Sequence, residues 1–173
     1  MKIAYTMAAG RGDTDLLLAE FARRMIAAGR RVVGVAQINT ERDTCHPCDM
    51  DVQVLPDGPV IRISQNLGAE AKGCRLDPAA LEGAVGEVAS RLRAGADVLV
   101  LNKFGKHEAE GRGFRDLIGE ALELGVPVIS GLNEFNRTAY DDFSSGLAVE
   151  LPGDLDALTE WLNLPDDPEA QAA

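Results

Sequence analysis

The chain has 173 residues, 46% of them hydrophobic and 5% aromatic, enough for one domain's aliphatic core and inconsistent with a disordered, collagenous or coiled-coil chain. Lys and Arg number 17 against 28 Asp and Glu, a formal net charge of −11; a chain this acidic repels a polyanion, and no local basic patch argues for nucleic acid. No apolar run approaches the roughly 20 residues that span a bilayer. The opening MKIAYTM lacks a signal-peptide pattern, and three cysteines are too few for a disulfide scaffold, so a cytoplasmic protein with no membrane role is expected.

Short apolar runs alternate with amphipathic stretches, the pattern of an α/β fold with a mostly parallel sheet. Residues 2–7 read as the first strand. The loop Ala8-Ala9-Gly10-Arg11-Gly12 leads into a helix with Leu17, Leu18, Phe21 and Met25 on one face and Gly29 at its C-cap. Residues 31–37 read as a second strand, and a polar segment, 38–49, follows. Strands at 50–55 and 60–64, joined by Pro56-Asp57-Gly58-Pro59, form a β-hairpin insertion. Asp77-Pro78 starts a helix whose apolar face is Leu81, Val85, Val88 and Leu92. Residues 97–101 read as a strand covered on both faces and 102–108 as a loop, with Lys106, His107, Glu108 and Glu110 solvated. A helix carries Phe114, Leu117, Ile118, Ala121 and Leu122 and ends at Gly125. Residues 126–130 form the next central strand; a polar loop of about a dozen residues, an edge strand at 147–151 and a helix at 155–162 follow. One domain over residues 1–164 is expected, with an acidic tail, 165–173, too poor in apolar residues to order.

A glycine-rich loop between a strand and a helix presents backbone amides and a positive helix end to an anion. Set against G-x-x-x-x-G-K-[ST], Gly12 and Thr14 match, while Met7 replaces the first glycine and Asp13 replaces the lysine. The strand that would end in a Mg²⁺-binding acidic pair ends in Asn102-Lys103. Two readings follow. In one, Asp13 and Lys103 pair and close an inert site. In the other, an anion rests on the amides of Gly10, Gly12, Asp13 and Thr14, with Lys103, Asn102 and Arg11 as partners and no metal. Neither reading supplies Mg²⁺-dependent triphosphate hydrolysis. Arg62, Gln65 and Arg75 lie on or after the hairpin and could cover the anion through charge-assisted hydrogen bonds, or else pair with surface carboxylates.

Other candidates are weaker. Cys45-His46-Pro47-Cys48 has the spacing of a soft-metal pair, with Cys74 as a third thiolate. Structural zinc commonly takes two such pairs, so cysteines without metal are expected and zinc is the alternative. In Asn133-Glu134-Phe135-Asn136-Arg137, Phe135 either packs the loop down or stacks on a ligand, and so does Tyr140; Trp161 reads as core.

The segment Asn102-Lys103-Phe104-Gly105-Lys106-His107-Glu108 resembles the D-E-I-G-K-M-E segment of the small archaeal and bacterial nucleoside-triphosphatases of the P-loop superfamily: Gly105, Lys106 and Glu108 match, and Asn102 and Lys103 depart. The strings Asn102-Lys103-Phe104-Gly105, Glu108-Ala109-Glu110-Gly111, Ile63-Ser64-Gln65-Asn66-Leu67-Gly68 and Gly73-Cys74-Arg75-Leu76-Asp77 are similar to those of a bacterial domain family without a defined activity. These resemblances imply a P-loop-type, doubly wound sheet. Members of that domain family tend to be encoded beside molybdate-uptake genes, which suggests a tetrahedral dianion, molybdate or tungstate, as ligand; phosphate and sulfate suit the same cradle. The expected function is non-hydrolytic oxyanion or anionic-metabolite binding at a degenerate P-loop, without a cofactor. The alternatives are a nucleotide phosphatase with a relocated cation, or a catalytically inactive scaffold acting through protein contacts.

Overall fold

Val98–Leu101 carries four aliphatic side chains in a row, and all four are buried, because layers of helices cover both faces of the sheet they enter. Leu99 and Leu101 point to one layer, Val98 and Val100 to the other. The computed structural model describes residues 1–10, 12–40, 49–65 and 76–165. In chain order the elements are β1 (Ile3–Thr6), α1 (Asp13–Ala27), β2 (Val32–Thr40), β3 (Asp49–Leu55), β4 (Val60–Arg62), α2 (Pro78–Arg93) and β5 (Val98–Leu101). There follow α3 (Lys106–Ala109), α4 (Arg115–Glu123), β6 (Val128–Gly131), a 3-10 turn (Glu134–Asn136), α5 (Arg137–Ser144), β7 (Val149–Leu151) and α6 (Leu155–Asn163).

The seven strands form one sheet in the order β4-β3-β2-β5-β6-β1-β7. β2, β5, β6, β1 and β7 run parallel; β3 is antiparallel to both β2 and β4. The expected α/β architecture with its hairpin is therefore present. On one face Tyr5, Val35, Leu99 and Val128 pack against Leu81, Val88, Leu117 and Tyr140. On the other, Ala4, Val100 and Ile129 meet Leu18, Phe21, Met25, Leu158 and Trp161. Among the described residues no helix is long and apolar enough to cross a membrane.

Local chemistry places several boundaries where the sequence puts them. Asp77 caps α2, its carboxylate accepting from the amides of Ala79 (3.0 Å) and Ala80 (3.1 Å), with Pro78 in the first turn. The hairpin turn closes when Gly58 N donates to Val54 O (2.9 Å). Two stretches differ from expectation. β2 runs on to Thr40, since β3 pairs with it over its whole outer half, from Gly34↔Leu55 to Thr40↔Asp49. The polar loop after β6 contains the 3-10 turn and α5: Tyr140 stands edge-on to Tyr5 (5.5 Å between centroids) and to Phe104 (4.9 Å), and Phe143 stacks on Phe104 (5.6 Å). Burial pushes the Tyr140 phenol well above its ordinary value.

The parallel register brings the ends of three central strands level: Thr6 of β1 pairs with Gly131, while Ser130 pairs with Leu101 of β5. A β-carbon at Gly131 would lie 2.1 Å from the Asn102 carbonyl oxygen and 3.0 Å from Thr14 Cγ2, so only glycine lets β5, β6 and the start of α1 approach this closely. Gly131→Ala is expected to cost about 1–3 kcal/mol in urea denaturation, as overpacking against fixed backbone does; an unchanged midpoint would show that the strand ends are looser than drawn.

Candidate functional site

Ligands of open α/β sheets collect where loops leave the carboxyl ends of neighbouring strands. Here the loops after β1, β5 and β6 meet around a cleft of about 480 Å³ whose walls include Met7, Gly10, Gly12, Lys103, Asn133 and Glu134. The first loop is held in shape by its own helix. Thr14 is buried and its hydroxyl oxygen accepts from Ala8 N (2.9 Å); Asp13 N donates to Gly10 O (3.2 Å). Gly12 takes φ 87°, a left-handed conformation that suits glycine, and hands the chain to the 15-residue α1. The positive end of that helix therefore opens on the cleft.

Across the cleft, Asn102 leaves β5 and is buried. Its Nδ2 donates to Asp15 Oδ1 (3.0 Å) and to Gln37 Oε1 (3.0 Å), and its Oδ1 accepts from Gln37 N (3.2 Å). Lys103 Nζ lies 3.3 Å from the same Asp15 Oδ1. The Asp15 side chain is only 5% exposed, the Lys103 side chain 42%. The acid is buried in the wall of the cleft, which both residues line, and the Lys103 side chain is the more exposed partner.

The profile of a family described as protein of unknown function (DUF2478) matches residues 3–161. The chain belongs to that family. It is also similar to a Bradyrhizobium diazoefficiens protein named molybdenum import ATP-binding protein ModC 2, 36% identical over 149 residues, which are 86% of this chain and 17% of that protein. The chain thus spans well under a quarter of that relative's length. In fold it is similar to THEP1 from the hyperthermophile Aquifex aeolicus, with a TM-score of 0.67 and 18% identity, covering 95% of this chain and 100% of the other. A human cancer-related nucleoside triphosphatase is similar at a TM-score of 0.59 and 16% identity, covering 87% of each chain. The fold of this DUF2478 chain is that of the small P-loop nucleoside-triphosphatases; at such identities the likeness carries the fold alone.

Of the residues singled out in the sequence, Gly10, Gly12, Thr14 and Lys103 come together at the cleft. Asp13 does not meet Lys103. It is exposed and folds back on its own loop, its Oδ2 2.0 Å from where a Gly10 β-carbon would stand, and the acid beside Lys103 is Asp15. Asn102 faces inward, as the hub that joins Asp15 to Gln37. Arg62 and Gln65 line neither this cleft nor the cavity beyond Lys103: Arg62 pairs with Asp51 across the hairpin (3.0 Å), and Gln65 follows Ser64, which bridges to Leu76. Arg11, Arg75, Cys45, His46, Cys48, Cys74 and tail residues 166–173 lie outside the described residues.

Asp15 and Gln37 carry the site's buried polar contacts, and sequence reasoning passed over both. The signal for Asp15 was its spacing: it sits three residues before Leu18 and ten before Met25, on the stripe that α1 buries, where a charge needs partners. Of the residues expected in a solvated loop, Lys106 and Glu110 are exposed, and His107 and Glu108 are not. His107 and Glu108 are buried in and around α3, because the Glu108 carboxylate accepts from Gly105 N (2.9 Å) and Phe114 N (3.3 Å), tying the turn to the start of α4. Phe135 does not pack its loop down and is 97% exposed; Tyr140, by contrast, is core.

Removing the buried acid should therefore cost more than removing the exposed one. Asp15→Ala, which strips Asn102 and Lys103 of a partner, is expected to lower stability by about 1–3 kcal/mol, and Asp13→Ala by less than about 1 kcal/mol. Urea denaturation of the two variants side by side checks this, and the reverse order would remove Asp15 from the centre of the site.

Proposed function

We propose that the cleft binds a small oxyanion or anionic metabolite, with molybdate and tungstate as leading candidates, and does not hydrolyse a nucleotide. The observation that carries the reading is the Lys103 ammonium, held beside Asp15 of the first turn of α1 and lining the same cleft as the glycine loop. An anion between them would accept from backbone amides on one side and from Nζ on the other, the geometry of a charge-assisted cradle.

The donor set is unsuited to the Mg²⁺ that P-loop triphosphatases use. Asn102 and Lys103 occupy the strand end where acids would hold the ion. The Asn102 amide is engaged by Asp15 and Gln37, and the buried Asp15 carboxylate already faces an ammonium. Asp13, in place of the lysine of G-x-x-x-x-G-K-[ST], adds negative charge near the spot where a triphosphate would put its own. A compact dianion asks for less: no metal, and a few donors converging on one centre. The words molybdenum import in the name of the Bradyrhizobium relative favour an oxyanion of that metal. The ATP binding in that name is said of a much longer protein, of which the matched part is 17%.

Calorimetric titration of molybdate, tungstate, phosphate, sulfate and ATP, each with and without Mg²⁺, tests the reading. Metal-independent binding of a small dianion is expected, and Lys103→Ala should weaken it by about 1.5–3 kcal/mol, as the loss of a hydrogen bond to a charged group does. Binding of Mg-ATP alone with release of phosphate would replace this reading with a hydrolase. No binding of any of them at millimolar concentration would leave a scaffold that works through protein contacts.

A further inference from the structure

Lys103 stands on a second wall as well. On its far side from the first loop opens a cavity of about 430 Å³, between the sheet face at β2 and β3, the first turns of α2 and the segment from Asn102 to Phe114. Its floor is apolar and buried: Val35, Val52, Ile63, Leu81 and Phe114. Among the described residues, one buried titratable side chain lines it without a hydrogen bond. The His107 imidazole is 8% exposed, and the carboxylate beside it, Glu82 Oε1, is 3.8 Å from Nε2, beyond hydrogen-bond reach.

A bare tetrahedral oxyanion does not suit this cavity. Besides Lys103, the cations that line it, Lys106 and Arg112, are exposed and already paired with Glu110, so a bare anion held there would leave the Val, Ile, Leu and Phe floor unfilled. A volume of this size with a buried apolar floor, the buried His107 and Asn102, and charged side chains at exposed positions is what a small organic anion needs. The anion cleft adjoins it, and Lys103 borders both. We propose that the two spaces form one composite site for an organic oxyanion. A compact apolar or ring-bearing body sits over Leu81 and Phe114, a polar atom of that body meets His107, and the oxyanion end lies between Lys103 and the first loop. This rests on the anion site proposed above and narrows its ligand class.

The test compares inorganic phosphate with phenyl phosphate by calorimetry on the full chain. It also follows the methyl resonances of Val52, Ile63 and Leu81 by NMR. Phenyl phosphate is expected to bind at least about tenfold tighter than phosphate, the scale of burying part of one ring. It should shift those methyl resonances where phosphate leaves them in place. In Leu81→Phe, whose larger side chain takes up cavity volume, the advantage of phenyl phosphate should shrink. The comparison within the unaltered protein stands even if that variant does not fold. Phosphate binding with no gain for phenyl phosphate, or a gain with the three methyl resonances unmoved, would overturn the composite site and leave the anion cleft intact. Failure of both ligands to bind would overturn the composite site, and molybdate and tungstate titrated alongside show whether the anion cleft falls with it.

Discussion

A carboxylate sealed at the start of a helix persists only if its charge is answered, and Asp15 is answered from the neighbouring strand end. Asn102 donates an amide hydrogen to it and Lys103 brings an ammonium to 3.3 Å. The contact joins residues 87 and 88 positions apart, linking the first helix to the end of β5. Gln37 extends it to β2 through two further hydrogen bonds with the Asn102 amide. Three elements that share little sequence neighbourhood are thus registered by one polar node. In a low-dielectric setting such a node is strong when complete and costly when broken. The close approach at Gly131 depends on the same registration, because the Asn102 carbonyl must lie against β6 while its side chain reaches α1.

The node also decides what the fold does with its loop. Likeness to the small P-loop triphosphatases places a glycine loop, a helix end and two strand ends around one cleft, and that arrangement is indifferent to chemistry. The side chains decide. The loop carries an aspartate where the lysine would stand, the strand end carries a lysine where an acid would stand, and the positive charge of the cleft comes from the opposite wall. A single ammonium, backbone amides and a helix dipole are a matched set for a compact anion.

Local chemistry was legible in the sequence. The Asp77-Pro78 start of α2, the turn of the hairpin and the aliphatic run of β5 depend on residues within a few positions of each other, and each forms as read. The polar segment holding α5 was not legible, because its stability comes from Tyr140 and Phe143 meeting Tyr5 and Phe104 at long range rather than from helix-forming residues. The same holds within the site. That Lys103 would face the first loop could be read from the motif, yet which aspartate it meets could not. Asp13 and Asp15 differ only in the direction each takes from the helix, and α1 turns Asp15 inward. The burial of Glu108 was hidden for a related reason, since a carboxylate that caps a short turn looks in sequence like any surface acid.

The asymmetry of the Asp15–Lys103 pair bears on whether the site is open or closed. Had both partners been sealed, the pair would be a structural plug, with the charge of each cancelled by the other. The acid is 5% exposed and the lysine 42%, so the buried member anchors and the outer member remains in contact with solvent. An ammonium has three donors, and Asp15 Oδ1 is one acceptor. Lys103 lines both the cleft and the apolar cavity. A lysine on a free surface would lose rotamer freedom on meeting a ligand; one already held by a buried carboxylate has less to lose. The acid that weakens the local positive potential is thus also what holds the cation at the edge of the cleft.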